Sequence, residues 1–566
     1  MLTLLLPSLL CLPQAPAANA PVAELLPLAT LCGADATPPA PVWGSLLRYV
    51  VPAERPGDLL ASVDDGVTLR PEQVVATLSN LEAQAVAGGS LFLDAVSDNL
   101  LAVGDRAAVQ RVRQLLDTAA QVIARPLSIE FAAWDATNRE PPAAVLDAAG
   151  YERFVAGGTP LWRAVGTGRS GHAIALEHMR WNRYVRSIEV EVAQKQTMSR
   201  PATQRYGEGG HAVVRAHSLL GGDAFAVHLQ CNAAVRRGVV RTLTTGTPNG
   251  ADLELPALES YFAACSGRIA NGGALAITMR GDPVGGGQLV LTLRVVSRTP
   301  PTQLAQDDLM LLPCGALTTN ALTQRFDLPD PQRGDAEPVR AADDEGGARI
   351  DSDRLVGLVR DVAAGNGEDV GVWYGCGHLL VRGSAGARQR AEALLGTLQE
   401  RLVRTAVLRH ASQLVPLTPT DAETRNAANR TVHEIVLPTL FGRECNAARL
   451  FETNVISDVQ IEIAAEAGIL VPEVTVLQAG TWLRARLATA AQGTHLALDV
   501  QNVHTPTPVM RSVSPGGGVL MAAEVETVRV AHDGVVATGA TVDHGDGAAV
   551  TFEGRTYRTA LSTTLR

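Results

Sequence analysis

Aromatic residues are scarce: Phe, Trp and Tyr together make up only 4% of the 566 residues. Cores must therefore be built from Val, Leu, Ile and Ala. With 53 glycines available for turns, this favours sheets joined by hairpins over a large ring-lined catalytic pocket. Basic charge is short as well. Against 58 Asp and Glu stand 48 Lys and Arg, a net charge of −10, and without a clustered basic face the chain is not built to hold nucleic acid. None of the seven cysteines forms a C-x-x-C pair, so zinc-ligand spacing is absent. No G-x-S-x-G or H-E-x-x-H occurs. No segment reaches the ~20 consecutive apolar residues of a membrane-spanning helix.

What the chain does have is a repeat. Asn99 to Arg125 returns 279 positions later as His378 to Arg404, with 10 of 27 residues identical, among them Gln110/Gln389, Arg111/Arg390, Leu115/Leu394, Leu116/Leu395 and Arg125/Arg404. That excess makes the chain a tandem duplication. Each copy reads as a buried strand ending in glycine, then a helix capped by Asp105 or Ser384. One apolar stripe follows at helical spacing, Val109, Val112, Leu115, Leu116 and Ile123 in the first copy and Ala391, Leu394, Leu395, Leu398 and Leu402 in the second.

The first 20 residues, an apolar Leu2 to Leu12 followed by the small-residue run Ala15 to Ala20, read as a secretory signal peptide, although no Lys or Arg precedes the apolar run. At 46% hydrophobic and 19% charged the chain is folded and too long for one core, so about three to five domains are expected. An N-terminal α+β unit spans 42–135, with Leu46 to Pro52 as first strand, Pro71 to Ala85 as helix, Leu91 to Ala95 as second strand and Leu127 to Trp134 as exit strand. Its copy spans 320–411, with Thr323 to Pro329, Ser352 to Ala363, Val370 to Tyr374 and Ala406 to Leu408 in the same places. After each unit comes period-two alternation, Ile188, Val190 and Val192 against Val459, Ile461 and Ile463, predicting all-β domains at 136–298 and 412–566. Val213 to Ala216 parallels Trp482 to Ala485, and the strands Leu275 to Met279 and Leu289 to Val296 are set against Val519 to Val530 and Gly534 to Val542. The fold class is α+β: two tandem copies of a small βαββαβ domain, each followed by an all-β, sandwich-like domain. The run Asp335 to Gly347 reads as a solvated acidic loop.

Candidate chemistry is thin. Gly166 to Gly171 fits G-x-G-x-x-G, but no βαβ unit surrounds it and a hairpin turn is the better reading. His211, His217 and His228 match no metal-ligand spacing. Cys376-Gly377-His378 lacks an orienting acid, and Asp543 to Asp546 reads as a hairpin turn. Cys32, Cys231, Cys265, Cys314, Cys376 and Cys445 are either isolated buried thiols or, if exported, include one disulfide, for which Cys231 and Cys265 are the leading pair.

A βαββα unit with buried strand, glycine and amphipathic helix, followed by a β-domain broken by lines such as Asn271-Gly272-Gly273-Ala274 and Asp533-Gly534-Val535-Val536, resembles the secretins of bacterial secretion and pilus systems. The resemblance implies N-domains that pack side by side into rings and a C-terminal β-domain that builds a channel. This chain departs from that pattern, because the pair of domains is repeated and the proline-containing signature near the end of the channel domain is absent.

Two function classes follow. The first is an exported, non-enzymatic structural or assembly protein of the cell envelope, periplasmic or associated with the outer envelope, that works through protein–protein contacts with itself or an envelope partner. The second is an exported hydrolase or ligand-binding protein with a site gathered from distant residues. No catalytic, cofactor-binding or metal-binding residue is singled out and no cofactor is expected. Gln110, Arg111, Gln389 and Arg390, polar yet retained in both copies, form the candidate interface.

Overall fold

A computed structural model describes residues 21–32, 71–85, 91–96, 99–193, 196–238, 240–244, 252–281, 287–299, 305–306, 308–318, 350–365, 367–416, 431–464, 467–504, 509–512, 519–522, 526–552 and 555–565. Unit 1 comprises β1 (Val22–Pro27), α1 (Ala29–Cys32), α2 (Pro71–Ala85), β2 (Phe92–Val96), β3 (Asn99–Gly104) and α3 (Arg106–Ile123). Then come β4 (Pro126–Asp135), β5 (Val145–Leu146), α4 (Ala148–Ala156), β6 (Trp162–Arg169), β7 (Ala173–Ala193), β8 (Gln196–Ser218) and β9 (Ala224–Arg236). The first half closes with β10 (Arg241–Thr244), β11 (Asp252–Leu255), β12 (Ala257–Ala270), β13 (Ala274–Arg280) and β14 (Gln288–Val296). Unit 2 comprises β15 (Ala305–Gln306), β16 (Leu309–Pro313), α5 (Gly315–Thr318), α6 (Ser352–Ala364), β17 (Gly371–Gly375), β18 (His378–Arg382) and α7 (Ala385–Leu402). The second half continues through β19 (Thr405–Pro416), β20 (Thr431–Leu440), β21 (Glu444–Ala464), β22 (Ala467–Ala490) and β23 (Gly493–His504). It ends with β24 (Val509–Ser512), β25 (Val519–Ala522), β26 (Glu526–Val536), β27 (Thr541–Phe552) and β28 (Arg555–Leu565).

Both units follow from local chemistry. Asp105 Oδ1 accepts from the Ala108 N–H at 2.8 Å and Ser384 Oγ from the Ala387 N–H at 3.2 Å, so each main helix starts where its cap stands. Behind the helices lie antiparallel sheets of order β1-β3-β2 and β15-β16-β18-β17. The first strand is therefore β1 or β16. The stretches predicted for it, Leu46 to Pro52 and Thr323 to Pro329, lie outside the described residues, as do the signal peptide and the acidic loop. A correction concerns the exit strands: β4 and β19 leave the units and enter the larger of the two β-sheets beyond them.

The two β-regions are not separate domains. One sheet runs β26-β23-β22-β21-β12-β9-β8-β7 and the other β27-β28-β19-β20-β13-β14-β4-β6, with β5 beside β13, so strands of both halves share each sheet. The sheets pack face to face over one core drawn from both halves, including Phe131, Val227, Tyr261 and Ile277 from the first and Ile435, Leu483 and Leu498 from the second. Alternation could predict the strands but not this merger, because period two specifies a face and not a partner.

Duplication is visible in the geometry of the two long hairpins. Gly209 in β8 and Gly480 in β22 both adopt positive φ, 128° and 148°, and a Cβ on either would collide with a backbone carbonyl of the facing strand, that of His178 or Arg449. The ladders are bulged between Val185 and Ser187 in one hairpin and between Ile456 and Asp458 in the other, the same place in each. This register sets Ala212 against Leu483, two residues off the parallel drawn from sequence. In the same way β13 and β14 correspond in sheet position to β27 and β28, not to Val519 to Val542.

Candidate assembly surfaces

Within each sheet the halves keep the same strand order and follow one another head to tail. Copy 1 contributes β12-β9-β8-β7 and copy 2 the corresponding β26-β23-β22-β21, so the first strand of copy 2 pairs with the last strand of copy 1. The register runs from Ala257↔Thr453 to Ala264↔Asn446. In the second sheet the same seam is β20 on β13, from Thr278↔Val436 to Arg280↔Glu434.

An ion cluster locks this seam. Glu259 on β12 accepts from Arg449 NH2 at 2.6 Å across the seam and from Arg237 Nε at 2.7 Å, and the Tyr261 hydroxyl donates to it as well. Arg449 also lies against His433 Nδ1 at 3.3 Å. Glu259 and Arg449 are almost wholly buried, with side chains 3% and 4% exposed. Burial opposes the charge of Arg237, but Glu259 beside it holds its pKa above the ordinary value. Burial foremost pushes the Tyr261 phenol up to about 12. A close-packed charge pair in an apolar core tolerates little displacement, so it fixes register as well as contact.

Within their sheets the outer strands pair with no further strand among the described residues: β26 and β27 end copy 2, β7 and β6 end copy 1, although the outer part of β7 packs on β11, where the Val185 N–H donates to Glu254 at 2.9 Å, and on β22. The units repeat the theme. The helical side of unit 1, through Val74, Leu78, Leu115 and Leu116, shares a core with the outer face of the unit 2 sheet, through Leu309, Leu311, Trp373 and Leu380. A cavity of about 80 Å³ remains between them, lined by apolar side chains apart from Thr77, Tyr374 and His378. Among the described residues, eight of the ten exposed large apolar side chains lie on the unit 1 sheet (Leu25, Phe92 and Val96), on α6 (Leu358 and Val362), on the outer strands β6 and β7 (Val165 and Trp181) and on β26 (Val535). Exposed apolar groups concentrated this way mark contact surfaces.

The residues singled out from sequence fall elsewhere. Gln110, Arg111 and Gln389 are exposed on their helices, off the contact between units. Arg390 bonds within its own unit, donating to the Ala363 carbonyl from Nε at 3.1 Å and pairing with Glu368 at 3.2 Å, which gives its retention a local cause. His211, His217 and His228 are buried on one sheet, and burial lowers the first to about 4 and the second well below its ordinary value. Among the described residues no group of three or more His, Cys, Asp or Glu could hold a metal. Cys376 and Gly377 form a two-residue hairpin turn with φ 50° and 66°, and His378, held near 4 by burial, has Nδ1 2.8 Å from the Cys376 carbonyl oxygen. All six cysteines after Cys11 are free thiols; Cys231 and Cys265 are not joined, and burial raises both. Gly166 and Gly168 lie in β6, with the turn at 170–172. Asp543 to Asp546 is an irregular stretch inside β27 and not a turn.

Two features escaped the sequence reading. The Glu259–Arg449 pair spans 190 positions and carries no local signal. Arg125 did carry one, as an identity of the repeat: it is buried where unit 1 meets the sandwich, bonding Ser297 Oγ at 2.8 Å and the Gly222 carbonyl at 2.7 Å.

No protein-family model matches the chain, and no curated protein does. Among solved structures it is similar to the secretin-domain β-barrel of InvG from the Salmonella SPI-1 injectisome, at 14% identity over 46% of this chain and 86% of that one, with TM-score 0.19. It is similar also to ExeD of Aeromonas hydrophila, at 9% identity over 96% and 89% with TM-score 0.17. GspD of the ETEC pilotin–secretin complex gives 6% over 97% and 87% with TM-score 0.16. The chain thus bears a distant secretin-like resemblance.

Proposed function

We propose that this is an exported, non-enzymatic structural protein of the bacterial cell envelope, secretin-like, that works by assembling with copies of itself. Each chain supplies two repeats, each an α+β unit and half of a sandwich, and chains join by setting β26 and β27 of one against β7 and β6 of the next. One observation carries this reading: the seam inside the chain pairs β12 with β21 and β13 with β20, and the sheets end in the counterparts of those same strands, β26 and β27 on one side and β7 and β6 on the other. A heterologous contact of this kind repeats until the rotation closes a ring. Unpaired edges are otherwise a liability that proteins cover. Exposed Gln110, Arg111 and Gln389 would sit at the rim of such an assembly.

The test is the mass of the purified chain by light scattering. Oligomers are expected, and Val165→Lys with Trp181→Lys, which puts charge on the copy 1 edge strands, should lower the mass. A parent chain that is monomeric across the concentration range sinks the proposal.

A further inference from the structure

The interior of the sandwich is built differently in its two copies. In copy 1, Phe131 on β4 stands opposite Leu293 on β14, and in copy 2 the same pair is His410 on β19 opposite Thr563 on β28. Leu275 pairs with Leu293 as Val542 pairs with Thr563, so Ile277, two residues further on, gives way to His544. Counting across the other sheet from Gly209 and Gly480 sets Cys265 on β12 against His532 on β26 in the same manner. Phe131, Leu293, Ile277 and Cys265 all belong to the core. Three imidazoles and a hydroxyl therefore stand in copy 2 where copy 1 has three apolar side chains and a thiol.

The histidine layer is connected. Thr563 Oγ1 lies 3.0 Å from His410 Nδ1 and 2.9 Å from His544 Nε2, and one hydroxyl can serve both rings by donating to one and accepting from the other. The ring centres of His410 and His544 are 6.5 Å apart, those of His544 and His532 6.0 Å. His410 is wholly buried, while His532 and His544 are half-buried. Nε2 of His410 and Nε2 of His532 are buried without a hydrogen-bond partner, a cost that the apolar residues of copy 1 avoid. Packing does not call for these histidines, because copy 1 closes the same fold without them. Ile435 on β20 and Thr563 flank His410, and Leu498 on β23 flanks His532, all uncharged. Among the described residues Asp543, next to His544, is the one acid that reaches the layer. Burial foremost, then His544, holds His410 near 3. Burial and then His532 lower His544, against Asp543, which raises it.

We propose that this layer is an acid switch, which keeps the corner between β26 and β27 closed at neutral pH and opens it when the imidazoles take up protons. Once one ring is charged, its neighbours face a like charge across the sandwich interior, and parting the strands to admit water relieves both the repulsion and the burial. The opening is local, because β26 and β27 are the outer strands of their sheets and each pairs, among the described residues, with one neighbour. The open corner takes up protons near the ordinary histidine value of about 6.5 and the closed corner only at lower pH. The closed form is therefore fully favoured above pH 6.5 and loses ground as pH falls, by up to about tenfold per pH unit for each histidine. The switch resides in a single chain and does not depend on the head-to-tail reading, although it acts on the two strands that reading sets against the next chain.

The experiment is amide hydrogen exchange on the full chain carrying Val165→Lys and Trp181→Lys, so that protection lost in acid is not the loss of association through those strands. Between pH 7.5 and pH 5.5, once the intrinsic pH dependence of exchange is divided out, the amides of β26, β27 and β28 should lose protection by about tenfold or more. Those of β13 and β14, the copy 1 counterparts that carry no histidine, should keep theirs. His410→Phe with Thr563→Leu installs the copy 1 pair and should abolish most of the acid loss. His544→Gln, a smaller change that stays uncharged at both pH values, should reduce the loss by the share of one histidine and decides the matter if the first variant does not fold. No acid loss in β26 to β28, an equal loss in β13 and β14, or a loss undiminished by His544→Gln overturns the proposal.

Discussion

Strands β12 and β26 occupy the same place in the two copies, yet nearly every residue of β12 from Leu258 to Arg268 is buried, while β26 alternates between exposed and half-buried. The difference comes from the neighbour. β12 has copy 2 against it and carries Glu259 and Tyr261 in the ion cluster; β26 pairs, among the described residues, with β23 alone. A seam and an edge at the same strand position thus sit in a single chain, which allows the seam to be used as a measure of the edge.

The largest effect should come from the seam. Removing one partner by Glu259→Ala leaves Arg449 buried without its carboxylate and should cost roughly 3–5 kcal/mol in urea unfolding, whereas Glu259→Gln with Arg449→Met should recover much of it. At the edge the pair Glu130–Arg163, with Arg163 55% exposed, should yield no more than about 1 kcal/mol on Arg163→Ala. Equal losses at the two sites would erase the distinction.

Next are the hairpin glycines. Gly209→Ala and Gly480→Ala each force a side chain into a positive-φ position against a carbonyl, at a cost of about 2 kcal/mol or more. The two losses should agree to within about 1 kcal/mol, since one geometry serves both copies. A silent Gly480→Ala beside a damaging Gly209→Ala would break the structural equivalence of the halves.

How far these features could be read from sequence depends on their range. The caps Asp105 and Ser384, the helical stripes and the pre-helix glycines were legible because a helix is specified by residues within a few positions of each other. The retained Arg125 was legible as a signal without a role. The merger of the halves was not legible, because strands such as β12 and β21 meet across nearly 190 residues and any alternating strand could satisfy either. Val22 to Pro27, the strand that pairs with β3, carries no counterpart in the repeat alignment, and the stretch read as the first strand, Leu46 to Pro52, lies outside the described residues. The exposure of Leu25 and Leu358 was not legible either, since both look like core residues until their surroundings are known.

Acid tests one equivalent position of the two halves more gently. Burial holds His211 and His378 near 4 and His410 near 3, below the unfolded value of about 6.5. A depressed folded pKa means the unfolded chain takes up the proton first, so the stability these residues confer is complete above pH 6.5 and is lost as pH falls toward the folded values. Between pH 7 and 5.5 each should cost on the order of 1 kcal/mol. His211→Gln should flatten that slope. In copy 2, Trp482 occupies the position of His211, so Trp482→Phe should leave the slope unchanged. An acid slope unaltered by His211→Gln would place the sensitivity elsewhere.

The smallest expected effect concerns the retained helix pair, and it asks whether duplication preserved these residues for one reason or two. Arg390 ties α7 to the last turn of α6 through the Ala363 carbonyl and to Glu368, whose carboxyl lies below its ordinary pKa chiefly because Ser384 bonds it, with Arg390 adding to the effect. Arg111 sits on an exposed face of α3. Arg390→Ala should therefore lower the melting midpoint by the equivalent of about 0.5–1 kcal/mol, while Arg111→Ala should stay within about 0.5 kcal/mol of the parent. If instead Arg111→Ala leaves stability alone but lowers the oligomer mass, the residue was kept for a contact between chains and Arg390 for one within its unit. Equal stability losses at both would return the pair to a common structural cause and remove Arg111 from the assembly surface.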